Sequence, residues 1–418
     1  MKLSAFGNKM TGDSGIRALM DDLGAALSSK KKMIMLGGGN PADIPEIQQH
    51  FRSEMYSLLE NGRQFEDTIS SYGGPEGYLP FREALAEMMR EEYNWDITEK
   101  NIAITNGSQS GFFVLFNFLA GRFNDGSFKK ILLPLAPEYI GYSDVGIDDS
   151  EGLFKSFKPK IENIDELLFK YHIDFDAVKP DENTSAICVS RPTNPTGNVL
   201  TDNEIHKLSA LAKDNGIPLI IDNAYGTPFP HIIFDDVKPY YNDNTIVCMS
   251  LSKLGLPGTR CGIIIANEQT IRSISMAGSI MNLAPCSLGP ALATRLVKSR
   301  EIIRLSREIV APFYKKKADR VVAMLAEQMK DIPLAIHKPE GAFFLWLRFK
   351  GMPVSSQTLY EKLKENGVLV IPGHYFFPGF DAKWEHQTQC IRLNYAADEN
   401  TLKAGIKILA ETVREIYR

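Results

Sequence analysis

One short stretch, Ser250-Leu251-Ser252-Lys253-Leu254-Gly255-Leu256-Pro257-Gly258-Thr259-Arg260, brings together a lysine, two hydroxyls and an arginine. A lysine at the end of a strand can form a Schiff base with an aldehyde. The hydroxyls and the guanidinium fork can hold a phosphate. A surface loop with a solvated lysine is the alternative. Asp222 closes the apolar run Pro218-Leu219-Ile220-Ile221 and precedes Asn223-Ala224-Tyr225. A carboxylate there can pair with a pyridinium nitrogen and keep the ring an electron sink, or simply shape a turn. Asn194, in Asn194-Pro195-Thr196-Gly197, and Tyr225 read equally well as turn and packing residues. Gly107-Ser108-Gln109 precedes an apolar run from Phe112. Free N–H groups at such a helix start would attract an anion, unless Asn106 or Ser108 caps the helix. Arg392 lies inside the apolar Cys390-Ile391-Arg392-Leu393-Asn394-Tyr395, where an unpaired charge is costly. Either a substrate carboxylate or a salt bridge to one of the 51 acidic residues would offset that cost.

These residues need a scaffold that gathers them, and the middle of the chain supplies one. The short apolar runs at 185–190, 217–221, 245–249 and 262–266 do not alternate with polar residues. Such strands, separated by helices, imply a sheet covered on both faces. Thr201-Asp202-Asn203-Glu204 has capping-box spacing, and Ile205, Leu208, Leu211 and Ala212 follow at helical period. Asn215-Gly216 stops that helix. Ligands of such sheets bind beyond the carboxyl ends of the strands, where Asn194, Asp222 and 250–253 all fall. The tract 291–330 reads as a long helical connector bent at Pro312. Strands at 342–347, 368–371 and 390–395 and helices at 356–366 and 400–417 make a separate α+β unit. The expected partition is therefore an α/β protein with a mostly parallel central sheet: 1–50 packing with the small unit, 51–300 the large domain, and 301–418 the small one.

Composition excludes several classes. Lys plus Arg number 47 against 51 Asp plus Glu, a net charge of −4, which argues against a nucleic-acid binder. The apolar stretch 112–120 is far too short for a membrane span, and the first residues lack the apolar core of a signal peptide. Five scattered cysteines read as reduced thiols of a cytoplasmic protein. The seven histidines show no metal-ligand spacing, so no metal is expected. His374 reads as a loop residue beside the small unit.

In their order along the chain, Tyr72-Gly73-Gly74-Pro75-Glu76-Gly77, Gly107-Ser108-Gln109, Tyr139, Asn194-Pro195-Thr196-Gly197, Asp222-x-x-Tyr225, Ser250-x-Ser252-Lys253, Arg260, Lys338-Pro339-Glu340-Gly341-Ala342-Phe343-Phe344 and Arg392 resemble the fold-type I aminotransferases that use pyridoxal phosphate. The resemblance covers nearly the whole chain. It implies that Lys253 carries the internal aldimine and moves the substrate's proton, while Asp222 pairs with the pyridine nitrogen. Tyr225 and Asn194 would bond the ring hydroxyl, and Tyr139 would stack on the ring. Gly107, Ser108, Gln109, Ser250, Ser252 and Arg260 would hold the phosphate, joined by Tyr72 from the neighbouring subunit of a homodimer. Arg392 would bind the substrate carboxylate, with the glycine loop near Gly38 closing over it. Gly37-Gly38-Gly39-Asn40-Pro41 and Ser190-Arg191-Pro192-Thr193-Asn194 resemble the branch that exchanges an amino group between valine and pyruvate. The spacing from Lys253 to Arg260 is one residue shorter than in the aspartate-specific branch. Ile280-Met281-Asn282-Leu283-Ala284-Pro285, where dicarboxylate-specific relatives place a second arginine, has none. A neutral amino acid and a keto acid, reacting in turn at one site, are the implied substrates. A broader neutral or aromatic specificity and a C–S lyase of the same fold are the alternatives; a DNA-binding regulator is disfavoured by the absence of a basic patch.

Overall fold

Continuous apolar runs in the middle of the chain become strands buried on both faces. The computed structural model describes residues 1–12, 15, 17, 21, 24, 33–148 and 150–418. Its eight-stranded sheet runs in the order Ile102–Thr105, Gly262–Ile265, Thr245–Ser250, Leu219–Asp222, Thr184–Ser190, Phe128–Leu133 and Gly121–Arg122, with Phe154–Ser156 also paired to Phe128–Leu133. The inner strands pair in parallel. Gly262–Ile265 runs against both of its neighbours, the chain having reversed over residues 251–261. Helix Asp202–Asp214 starts at a capping box, in which Thr201 and Glu204 satisfy each other's backbone N–H groups.

A second, six-stranded sheet is built around Phe344–Phe349 and Cys390–Asn394. It departs from the expected partition, because Lys160–Asn163 and Leu168–His172, from the middle of the chain, extend it through Leu334–His337. The 368–371 run also splits. Val368–Leu369 pairs in parallel with Ile34–Met35, while Ile371–Pro372 pairs with Cys390–Asn394. The N-terminal segment divides similarly. Residues 34–36 bond to the second sheet's side, whereas helix Pro45–Glu60 sets Leu58 against Ala291 and Leu292 of helix Leu288–Lys298. Most of 13–32 lies outside the described residues. The connector is broken ahead of Pro312, at Ser299 and in a π-helical turn Ser306–Val310, and Pro312 sits in the first turn of Ala311–Gln328. The backbone is continuously helical from Glu301 to Gln328, so Pro312, which has no N–H to donate, falls inside a helix directly after the π turn. One apolar cluster runs from Ile104, Val247 and Ile263 to Phe344, Leu347 and Ile406, so the two sheets share a core. Among the described residues no helix is long and apolar enough to cross a membrane.

A buried ion pair ties the second sheet to the loop after Thr184–Ser190. Lys170 Nζ donates to both oxygens of Glu340 at 2.6 Å, and Glu340 also accepts from Lys338 Nζ at 2.9 Å and from Val199 N–H at 3.0 Å. Burial raises the Glu340 carboxyl, but Lys170, Val199 N–H and Lys338 outweigh it and leave the group below its ordinary range. Glu340→Ala would strand Lys170, with an expected loss of roughly 3–5 kcal/mol read as a lower urea midpoint.

Candidate active site

Strand register decides what meets at the sheet's carboxyl edge. Asp222 lies opposite both Ser190 and Cys248, Ser250 lies opposite Gly262, and Gly262 lies opposite Thr105. The loops leaving these strands carry Asn194, Tyr225, Lys253 and the start of helix Ser108–Leu119 to one cavity of about 230 Å³. It is lined by Ser108, Gln109, Tyr139, Asn194, Asp222, Tyr225, Ser250, Ser252, Lys253, Arg260 and Arg392, together with Gly39, Phe112, Ile140, Ser190, Pro192 and Ala224.

Arg392 is 3% exposed, and among the described residues no carboxylate pairs with it. Its two terminal nitrogens donate to Asn194 Oδ1 at 2.7 Å and to the Gly37 carbonyl at 2.6 Å. The guanidinium lies 4.2 Å from the Phe344 ring centre and 5.2 Å from that of Phe376. Among the described residues its Nε has no partner. Burial, opposed by the Tyr225 and Tyr139 hydroxyls, lowers its pKa to about 10. The salt-bridge alternative is therefore absent, and the arginine carries an unsatisfied donor. Lys253 Nζ donates to the Gly39 carbonyl at 2.8 Å and lies 5.5 Å from the Tyr225 ring centre. Burial, then Arg392 and Arg260, lower its pKa to about 8. Asp222 accepts from Tyr142 Oη at 2.7 Å and from Ala224 N–H at 3.0 Å, while burial raises its pKa above the ordinary range.

Further anion-binding groups gather at the helix start. Gly107 has φ +92°, and a Cβ there would collide with the Arg260 guanidinium. Glycine thus allows both the left-handed turn and the close approach of that cation. No side chain caps Ser108–Leu119; Asn106 Oδ1 instead accepts from Cys286 N–H at 3.0 Å. First-turn amides, the Ser252 hydroxyl and Arg260 form an anion-binding donor set. Ser250 is less free. Its Oγ donates to Cys261 O at 3.1 Å and accepts from Ser252 N–H at 3.0 Å, which shapes the loop.

Two expected residues stand apart. Tyr72 is 84% exposed and does not line this cavity. Gly38 is held back by Asn394 Nδ2, which donates to its carbonyl at 2.6 Å, and Gly39 is the loop residue at the cavity wall. Sequence reasoning missed Tyr142, Glu138, Asn394 and the two phenylalanines around Arg392. Only Glu138 had a visible signal, as an acid inside the apolar Ala136-Pro137-Glu138-Tyr139-Ile140.

Pyridoxal phosphate matches this donor set. The amides and Arg260 suit a phosphate, Lys253 suits an aldehyde, and Asp222 suits a ring nitrogen. The orphaned Nε of Arg392 calls for a carboxylate. Because Lys253 is held near pH 8, its reductive labelling by a small aldehyde in the ligand-free protein should be half-maximal near that pH. Its charged form dominates below the midpoint and its reactive neutral form above. Arg392→Gln should move the midpoint upward, and peptide mass spectrometry across a pH series checks both.

Comparison with known proteins agrees with this geometry. The family model described as "Aminotransferase class I and II" matches residues 31–409. The chain is 51% identical over 417 residues to the valine–pyruvate aminotransferase of Escherichia coli strain K12, covering 100% of this chain and 99% of that protein. It is 28% identical over 362 residues to aromatic-amino-acid aminotransferase 1 of Thermococcus litoralis, covering 82% of this chain and 80% of that protein. The crystal structure of valine-pyruvate aminotransferase from Salmonella typhimurium LT2 superposes with a TM-score of 0.89 at 50% identity, over 97% of this chain and 100% of that one. With the match running through both sheets and across every loop that reaches the cavity, this chain belongs to the class I and II aminotransferases, enzymes that work with pyridoxal phosphate.

Proposed function

We propose that the chain exchanges an amino group between L-valine and pyruvate, giving 2-oxoisovalerate and L-alanine by alternating half-reactions at one site. The observation that carries the reading is the buried, acid-free Arg392 beside Lys253, a receptor for the carboxylate that both substrates share. The full-length likeness to valine–pyruvate aminotransferases supports the choice of substrates.

When bound, the cofactor supplies an electron-withdrawing ring that makes the substrate's Cα–H acidic. The residues do the rest. Lys253 would hold the aldehyde in the resting enzyme and, once released, carry the proton from Cα. Its lowered pKa favours the neutral amine needed for both tasks. Asp222, fixed by Tyr142 and Ala224, would keep the ring nitrogen protonated. Asn194 and Tyr225 would bond the ring hydroxyl, and Tyr139 would cover the ring face. Gly107, Ser108, Gln109, Ser250, Ser252 and Arg260 would surround the phosphate. Arg392 would exchange its Gly37 contact for the substrate carboxylate, using its free Nε as well. Phe112, Ile140, Pro192 and Ala224 give the cavity apolar walls. A pocket of this kind separates valine from its neighbours only weakly, since a methylene is worth about 1–3 kcal/mol.

A homodimer completes the reading. Tyr72, Met276, Ile280 (89% exposed) and Leu283 are large apolar side chains left exposed, which association with a second copy would cover. On a second copy, Tyr72 would reach the neighbouring phosphate site. Four of the five cysteines are buried and all are free, which suits a cytoplasmic enzyme.

The absorption spectrum of the purified protein loaded with pyridoxal phosphate tests the reading. L-valine should bleach the visible band and pyruvate should restore it. A band that ignores valine but answers another amino acid would sink the substrate; pyruvate and ammonia released from a cysteine conjugate would show a lyase instead. Lys253→Ala should lose borohydride-stable attachment of the cofactor and at least roughly 10³-fold in turnover. Arg392→Lys should raise KM for both valine and pyruvate by about 10–100-fold, with a smaller change in kcat, in steady-state kinetics.

A further inference from the structure

Glu138 is 2% exposed and forms no part of the donor set described above. Its carboxyl is surrounded by donors. Ser190 N–H donates to Oε1 at 3.0 Å, Ser190 Oγ–H to Oε2 at 2.7 Å and Tyr139 N–H to Oε2 at 3.2 Å. Its own N–H donates to the Phe376 carbonyl at 2.8 Å. One residue thereby joins three pieces of the cavity wall: its carboxyl holds the residue expected to cover the ring and the strand position opposite Asp222, and its backbone N–H holds the segment whose aromatic ring faces Arg392. A carboxylate satisfies three such donors, whereas an amide would turn its NH₂ toward one of them. We propose that Glu138 is a positioning residue for the cofactor ring, fixing Tyr139 against the Ser190–Asp222 strand ends and adding a second negative charge behind Asp222. This rests on the reading that pyridoxal phosphate occupies the cavity.

The groups facing Glu138 are Asp222 and Cys188 on neighbouring strands and Tyr142 on its own loop; Lys253 acts on Asp222, and Arg392 and Arg260 act on Tyr139. In the ligand-free protein burial, with a smaller push from Asp222, raises the Glu138 carboxyl to about 8 despite the Ser190 hydrogen bonds. A cationic ring beside Asp222 would draw that proton off, because opposite charges favour the ionised form. Once ionised, Glu138 stabilises the protonated ring in return. A neutral side chain at 138 makes protonation harder, so the pH midpoint of the cofactor's absorption change should fall.

The test uses the full-length protein loaded with pyridoxal phosphate, comparing wild type, Glu138→Gln and Ser190→Ala. Affinity is read by fluorescence quenching, the midpoint by absorption across pH, and folding of the unloaded proteins by thermal unfolding. Glu138→Gln should bind the cofactor about tenfold more weakly, and its midpoint should drop by roughly half a unit or more. Ser190→Ala removes one donor, so its midpoint should move the same way by less, and it carries the test if Glu138→Gln does not fold. Wild-type affinity and midpoint in a folded variant would overturn the proposal and leave the proposed function standing. A wild-type protein that binds no pyridoxal phosphate would overturn both.

Discussion

An uncompensated guanidinium in the interior is the constraint around which this molecule is arranged. Burying a charge without a counter-ion is expensive, and Arg392 is held by the Gly37 carbonyl, the Asn194 amide oxygen and two aromatic faces. None of these carries a full negative charge. The cavity therefore keeps a positive potential, which also reaches Lys253 and makes its amine easier to deprotonate. Supplying those partners takes four distant parts of the chain: the N-terminal glycine loop, the loop after Thr184–Ser190, the Phe344–Phe349 strand beside Cys390–Asn394, and the turn Gly373–Phe376. An acidic residue placed near Arg392 would stabilise the protein and remove its receptor.

Much of this was legible in the sequence because local rules suffice for it. Apolar runs without alternation specified the parallel part of the central sheet, and the loops after them delivered Asn194, Asp222, Tyr225 and Lys253 to one edge. The capping box of Asp202–Asp214 was readable residue by residue. What escaped depends on long-range pairing. Nothing near 160–172 says that it crosses to the second sheet, and nothing in 368–371 says that it divides between two partners. The π turn ahead of Pro312 was hidden because a proline signals a disturbed helix without saying what form the disturbance takes. Tyr142 was invisible because aromatic residues are common, and Glu138 stood out only as an acid in an apolar run; the fold alone turns these two toward Asp222 and Ser190.

The shared apolar core changes how the two sheets should be regarded. Val247 and Ile263 of one and Phe344 and Leu347 of the other belong to a single cluster, and Leu219 and Trp346 belong to a second. Relative movement of the sheets has to slide buried side chains past one another rather than open a wet cleft. Such interiors are densely packed and resist continuous deformation, which favours small rotations that carry Arg392 and its glycine loop together. The Lys170–Glu340 pair, bridging the second sheet to the loop that bears Asn194, keeps that loop in step.

The parallel ladder of Ile34–Met35 with Val368–Leu369 has a consequence for how the enzyme comes into being. A ribosome releases the first of these strands long before the second exists. Until then the glycine loop has no ladder to rest on, and the arginine that gives the cavity its affinity has not been made. The central sheet can fold in the meantime, because its strands all lie earlier in the chain. Binding competence thus waits on the strand that carries Arg392, and a chain terminated before it has the strands of the central sheet without the receptor.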